Sequence, residues 1–528
     1  KAHYPLNMID RPFATLAAKP AAAAEAGIEG KELEKYELRG PDGLVKGTVR
    51  IVHSESERRP CYEIRLPRVT PFTRAYLDNV KAEVSADMPL AGTEKGGDES
   101  SAVYAARRAR VSERIGAELG PPPATLAQLA DIVLNEMYGL GEIEALIGDA
   151  ALEEIIINSA SLPVSVYHKR HGWMKTTLRM SGEDATKNYA EQIARKVGRQ
   201  ISTLNPILDA HLSRGDRANA TLYPVSTHGN TITLRLFARN PWTIVSFLKK
   251  ENGAMSPEMA AMLWQAMQYE MNVLIAGGTA SGKTSALNSL LSLIQPHQRI
   301  VTIEDTRELL LPKYQWNWVP LVTRQPNPEG AGEITMLDLV VNALRMRPDR
   351  IVMGEIRRRR EAEVLFEAMH TGHSVYSTMH ADTGSQVIKR LLEPPIEVPA
   401  SEVEDVQLLL VQYRDRRKNI RRTLELSEVV PDAGGPSLSR IFSWKPRSDS
   451  FERVKAPNRY IEQMNLHTGL TENEIMEDQK SKMAVLKWML KAGLEGIEDV
   501  GRVMKAYYAD EGGVAAAAAK GVAPGKVL

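Results

Sequence analysis

The chain has 528 residues, 43% of them hydrophobic, 25% charged and 6% aromatic, and its 67 Lys plus Arg nearly balance 66 Asp plus Glu. That length suggests about three domains rather than one fold, and no segment has the roughly 18 uninterrupted apolar residues of a membrane span. A single cysteine, Cys61, excludes an internal disulfide and a cysteine-built zinc module and implies a reducing compartment, while near-neutral charge argues against wholesale coating of nucleic acid.

Residues 1–104 read as a variable accessory region. An Ala/Pro run at 17–26 and a Gly/Glu/Ser stretch at 91–101 have linker composition. Between them KGTVRIV (46–52) and CYEIRLP (61–67) alternate as half-buried strands do. Residues 105–250 look like a mixed α+β domain. A helix at 103–119 meets three prolines, and a second helical stretch follows, punctuated by Gly139 and Gly141. LEEIIINS (152–159), VSVYH (164–168) and TITLRLF (231–237) read as strands, with a helix near 183–197. FLKKENGAMSP (247–257) reads as a linker, at whose end Ser256 and Pro257 start a helix, because a serine oxygen caps orphan amides and proline tolerates the first turn.

From 251 to 430 short apolar runs alternate with helical segments: NVLIA (272–276), RIVTI (299–303), RIVMG (350–354) and SVYST (374–378). This order predicts an α/β fold with a parallel sheet. A helix begins at Thr335, with Asp338 in capping-box spacing, and stops before Pro348. Residues 431–528 read as a strand and helical extension, helical over 457–510, with an Ala-rich end frayed after 515.

The strongest signal is NVLIAGGTASGKTSALNSLL, where Gly277, Gly282, Lys283 and Thr284 fill G-x-x-x-x-G-K-[ST] after a predicted strand and before a predicted helix. Gly277, Gly278, Thr279, Ala280, Ser281, Gly282, Lys283, Thr284 and Ser285 then wrap the phosphates of ATP. Amides at the helix N-terminus point at the anion, Lys283 neutralises β/γ oxygens, and Thr284 ligands Mg²⁺. Glu304 and Asp305 close one strand, and Gly354–Glu355 stands where a Walker B aspartate is usual. Both lie at the carboxyl ends of parallel strands, which open into the ligand crevice of such sheets. Glu355 can hold Mg²⁺ or position water, and Glu304 can act as base; sequence does not divide those roles. His380 follows SVYST at the same topological position and can bond the γ-phosphate, whereas His373 sits at the other end of that strand.

GGTASGKT, TIEDTREL, RPDRIVMGEIR and EAMHTGHSVYSTMHADT occur in that order. Together they resemble the Walker A, Asp box, Walker B and His box of the secretion-type traffic ATPases that power type II secretion, type IV pilus assembly and retraction, and the archaellum. The resemblance covers about 125–430, and VPLVTR with LLEPPIEVP resembles the archaeal branch, which lacks the zinc module of bacterial secretion homologues. It implies a RecA-like ATPase domain preceded by an α+β domain that closes over nucleotide, in a homo-hexamer. It also implies that Arg217 and Arg235 reach phosphates near a domain or subunit boundary, that the partner is a polytopic membrane platform protein, and that the chain acts in the cytoplasm, peripheral to the inner face of the membrane. Arg358, Arg359 and Arg360 depart from the family pattern. Three other readings stand beside a motor for type IV pilus-like filaments or secretion: an archaellum rotary motor ATPase, a RecA-like nucleic-acid translocase using the basic segment YRDRRKNIRR (413–422), and a nucleotide-gated scaffold that scarcely turns over.

Overall fold

A computed structural model describes residues 28–528 except 41–42, 68, 88–100, 213–214, 238–239, 327–329 and 419. The Ala/Pro run and nearly all of the Gly/Glu/Ser stretch lie outside the described residues. The chain forms two compact units, 1–238 and 239–528.

The first unit carries β1 (Gly30–Arg39), β2 (Val45–Ser54), β3 (Arg59–Arg65), β4 (Leu152–Ile157), β5 (Pro163–His168), β6 (Gly172–Arg179), β7 (Ile207–His211), β8 (Arg217–Thr221) and β9 (Thr231–Arg235) in one sheet, ordered β1-β2-β3-β6-β5-β4-β9-β8-β7. Every pairing except β3 with β6 is antiparallel. The accessory strands are thus continuous with the α+β domain rather than a separate body. Tyr36 of β1 and Tyr62 of β3 each donate a hydrogen bond at 2.7 Å to Asp149, just ahead of β4. Val49, Ile51 and Tyr62 share one apolar core with Ile155, Val166 and Ile193. Helices Pro71–Asp87, Ser101–Leu119 and Pro123–Met137 make a second, smaller core.

In the second unit β10 (Val273–Gly277), β11 (Ile300–Glu304), β12 (Trp318–Val322), β13 (Arg350–Met353), β14 (Ser374–Met379) and β15 (Leu408–Asp415) are parallel, ordered β12-β11-β13-β14-β10-β15. Antiparallel strands β16 (Ile420–Val430), β17 (Ser437–Lys445) and β18 (Ser450–Arg453) extend this sheet. Strands β10, β11, β13 and β14 are buried at every residue, because helices cover both faces, as parallel sheets require. The expected parallel α/β core is present, and of the basic segment 413–422 residues 413–415 lie in β15 and residues 420–422 in β16, which pair antiparallel.

Two sequence expectations give way to packing. Phe247, Leu248, Ala254 and Met255, read as linker, are buried in the core of the second unit, and Ile244–Leu248 is a helix capped by Thr243. The Ala-rich end, read as frayed, is helical over Glu511–Ala519, with Val514 and Ala518 buried and the Trp488 indole bonded to the Val522 carbonyl at 2.7 Å. The caps at Ser256 and Thr335 form as expected, accepting from the amides of Met259 and Asp338.

Candidate nucleotide-binding site

β10 runs straight into the glycine-rich loop, and helix Lys283–Leu291 leaves it. Gly277 has φ 157°, and a Cβ there would meet Ser281 Oγ at 2.3 Å and the Gln412 carbonyl oxygen at 2.5 Å, so only glycine fits. Gly282 stands at the helix N-cap with φ 95°. The Lys283 ammonium donates to the carbonyls of Gly277 at 2.9 Å and Gly278 at 3.1 Å. Burial pulls its pKa down, against the opposing pull of Glu355, Glu308 and Asp382.

Glu304 ends β11 and is 3% exposed. Its Oε1 accepts the amides of Glu308 at 2.8 Å and Leu309 at 3.0 Å, while its buried Oε2 has no hydrogen-bond partner among the described residues. Burial pushes its pKa up to about 7. Glu304 is therefore a rigidly aimed carboxyl that can take up and release a proton near neutrality. The point where a Gly354 Cβ would sit is 3.6 Å from Glu304 Cα, which puts the β13 and β11 ends side by side.

Glu355 lies two residues beyond β13 and is partly exposed. Arg357 donates through Nε at 3.0 Å and Nη2 at 2.8 Å to Glu355 Oε2, and through Nη1 to Asp305. One guanidinium thus holds two strand-end carboxylates. The loop is pinned from β14, where Thr378 Oγ1 donates to the Gly354 carbonyl at 2.6 Å.

From the loop after β14 the residue set against the phosphate loop is Asp382, whose Oδ1 lies 2.6 Å from the point a Gly278 Cβ would occupy. His380 is exposed, and its carbonyl accepts from Arg390. His373 bonds Thr371 Oγ1 at 3.1 Å and sits at the start of β14, away from the strand ends. Arg217 and Arg235 belong to the first unit, where they face each other across β8 and β9. Arg217 grips Asp209 through two bonds, at 3.0 and 2.6 Å.

Asp382, Arg357 and Arg421 are the site residues that sequence reasoning missed. Arg421 lies on β16, 139 positions after Gly282, and its Nε donates to the Ala280 carbonyl at 3.1 Å. The acidic residue two places after His380 was a usable signal for Asp382; for Arg421 the basic run pointed elsewhere.

Among the described residues no cluster of three or more His, Cys, Asp or Glu forms a metal cage. The oxygen donors present, the Thr284 hydroxyl with Glu355 and Asp305, suit Mg²⁺, which takes one or two side chains together with substrate phosphates.

The family profile described as "Type II/IV secretion system protein" matches residues 136–412. Uncharacterized protein MJ0900 of Methanocaldococcus jannaschii is 35% identical over 336 residues, which is 62% of this chain and 60% of that protein. The match therefore spans less than two thirds of that relative. Type IV secretion system protein PtlH of Bordetella pertussis is 29% identical over 294 residues, 52% of this chain and 84% of that one. The VirB11 ATPase structure from Brucella suis aligns with a TM-score of 0.27 at 21% identity, covering 60% of this chain and 93% of that one. By the extent of the profile match and the four ordered motifs, the chain belongs to the Type II/IV secretion system protein family.

Proposed function

We propose that the chain is a Mg²⁺-dependent ATP hydrolase that converts nucleotide turnover into domain motion for a secretion or type IV filament machine. The observation that carries this reading is a phosphate loop after β10 and, at the carboxyl end of β11 in the same parallel sheet, a buried carboxyl, Glu304, with one oxygen unpartnered among the described residues and a pKa of about 7. In this reading the loop amides and Lys283 hold the β- and γ-phosphates, and Glu304 Oε2 accepts the proton of the attacking water. Thr284 and Glu355 hold Mg²⁺, which neutralises phosphate charge when bound. Arg357 bonds both Glu355 and Asp305 and fixes their direction. His380 reads the γ-phosphate from the rim.

Arg217 and Arg235 supply guanidinium charge to the transferring phosphoryl group when the α+β unit closes, within a homo-hexamer. No helix of the described residues is long and apolar enough to cross a membrane, so a polytopic platform protein is the proposed membrane partner and the site of action is the inner membrane face. The nucleic-acid reading loses two of its six basic residues: Arg421 lies on the phosphate loop and Arg422 is buried against Asp449.

Phosphate release from MgATP by the full chain, with and without the platform protein, tests the proposal. Wild type is expected to turn over and Lys283→Ala to be inert; equal rates for the two, in every condition, would sink it.

A further inference from the structure

We propose that two adjacent arginines of β16, Arg421 and Arg422, are positioning residues for the nucleotide site: the first sets the shape of the phosphate loop, and the second ties that loop to the segment by which the chain enters the second unit. The proposal rests on the reading of the loop as a nucleotide site.

Neighbouring residues of a strand point to opposite faces, and these two do so with different partners. Arg421 lies across residues 280–282. Its Nε donates to the Ala280 carbonyl at 3.1 Å, and its Cδ comes within 3.6 Å of the position a Gly282 Cβ would fill. Ala280 has φ 58° and Gly282 φ 95°. A left-handed alanine is unfavourable by itself and persists where its surroundings hold it. Arg421 is such a hold. It arrives from outside the loop sequence, and β15 lies between its strand and β10.

Arg422 is 6% exposed and grips Asp449 through Nε and Nη2, both at 2.7 Å. Its Nη1 donates to the Asn252 carbonyl at 2.6 Å, and the next amide, that of Thr423, donates to the Ala254 carbonyl at 2.7 Å. Segment 252–254 is therefore clasped to β16 one residue away from the contact on the phosphate loop. Asp449 is fixed in turn by the Trp444 indole at 2.9 Å. A movement of Ala280 on nucleotide binding shifts Arg421, and the rigid strand passes the shift to Asn252 and Ala254.

The test uses the full chain, a fluorescent ATP analogue with Mg²⁺, steady-state kinetics, and limited trypsin cleavage after Lys249 and Lys250. Losing one charge-assisted hydrogen bond predicts that Arg421→Ala weakens nucleotide affinity and raises KM about ten-fold, while kcat at saturation stays within about two-fold. Arg421→Lys recovers part of the loss. If the alanine variant does not fold, Arg421→Met, which keeps the stem and removes the donor, carries the same expectation. In wild type, nucleotide changes the rate of cleavage after Lys249 and Lys250. In Arg422→Met and Asp449→Asn that nucleotide dependence disappears. Unchanged affinity in the Arg421 variants, or an intact nucleotide effect on cleavage in both Arg422→Met and Asp449→Asn, overturns the inference. If wild type and Lys283→Ala both fail to bind the analogue, the nucleotide reading falls and takes the inference with it. If wild type binds and Lys283→Ala does not, the Arg421 and Arg422 results judge the inference alone.

Discussion

The two nine-stranded sheets treat their faces in opposite ways. In the second unit the central parallel strands are buried along their whole length, and their charged residues, Glu304 and Arg350, sit at strand ends. There Glu304, Glu355 and Asp382 gather around the loop after β10. In the first unit β8 and β9 alternate, with Ala218, Ala220, Ile232 and Leu234 inward and Arg217 and Arg235 outward at exposed positions. The contrast teaches that one unit gathers its charged groups at strand ends, by topology, and the other carries them along an alternating strand face.

That contrast can be broken or sharpened by substitution. Lys283→Ala, at the strand-end site, is expected to leave no measurable ATP turnover. Arg217→Ala or Arg235→Ala is expected to lower kcat by about 10³-fold, the scale of a transferred-phosphate arginine, with nucleotide affinity close to wild type; turnover equal to wild type would reduce both to ordinary surface charges. For Glu304→Gln the expected loss is about 10²-fold in kcat. Wild-type kcat/KM should also rise with pH along a limb near pH 7, set by the carboxyl held at about 7, and this limb should be missing in the variant.

The same carboxyl has a stability signature of definite sign. Its folded pKa is raised from 4.5 to about 7, so between these values the folded state binds more protons than the unfolded one. Stability should fall as pH rises through that window, by about 3 kcal/mol for this group alone, and chemical denaturation of Glu304→Gln should show a flatter dependence. The smallest effect is reserved for Arg357→Ala. Freeing Glu355 and Asp305 from a partly exposed clamp should raise KM for MgATP about three-fold, and a larger change would mean that Arg357 itself meets the phosphates.

Legibility in the sequence followed the same divide. Buried parallel strands leave continuous apolar runs, and the four read at 272–276, 299–303, 350–354 and 374–378 coincide with β10, β11, β13 and β14. β12 is an edge strand interrupted by Pro320, a residue that argues against a strand unless the edge position is known. β7 and β8 fill their inward positions with Leu208, Ala210, Ala218 and Ala220; close packing of small residues carries little of the branched and aromatic enrichment by which strands are read. The misreading of 247–257 has a related cause. Two lysines and a glutamate flank Phe247, Leu248, Ala254 and Met255, and charge masked the buried set. The phosphate loop was legible because its residues are consecutive. The Arg357 bridge and the Arg421 contact were not, since each depends on which strand lies beside which.

Trp264 of helix Pro257–Gln268 is fully buried and donates through its indole to Tyr508 at 3.0 Å, and the Tyr508 hydroxyl donates onward to the Leu293 carbonyl at 2.7 Å. Leu486, Met489, Val503 and Met504 lie in the same core as Leu287 and Leu290 of the helix that follows the phosphate loop. Order of synthesis gives this arrangement a consequence. The ribosome makes the phosphate loop some two hundred residues before the helices that complete its core, and domains fold as units when their parts become available. The first unit can close during translation. The core of the second unit is complete only when residues to about 518 are available, so until then Trp264, Met267 and Leu290 lack part of the packing they have in the folded chain.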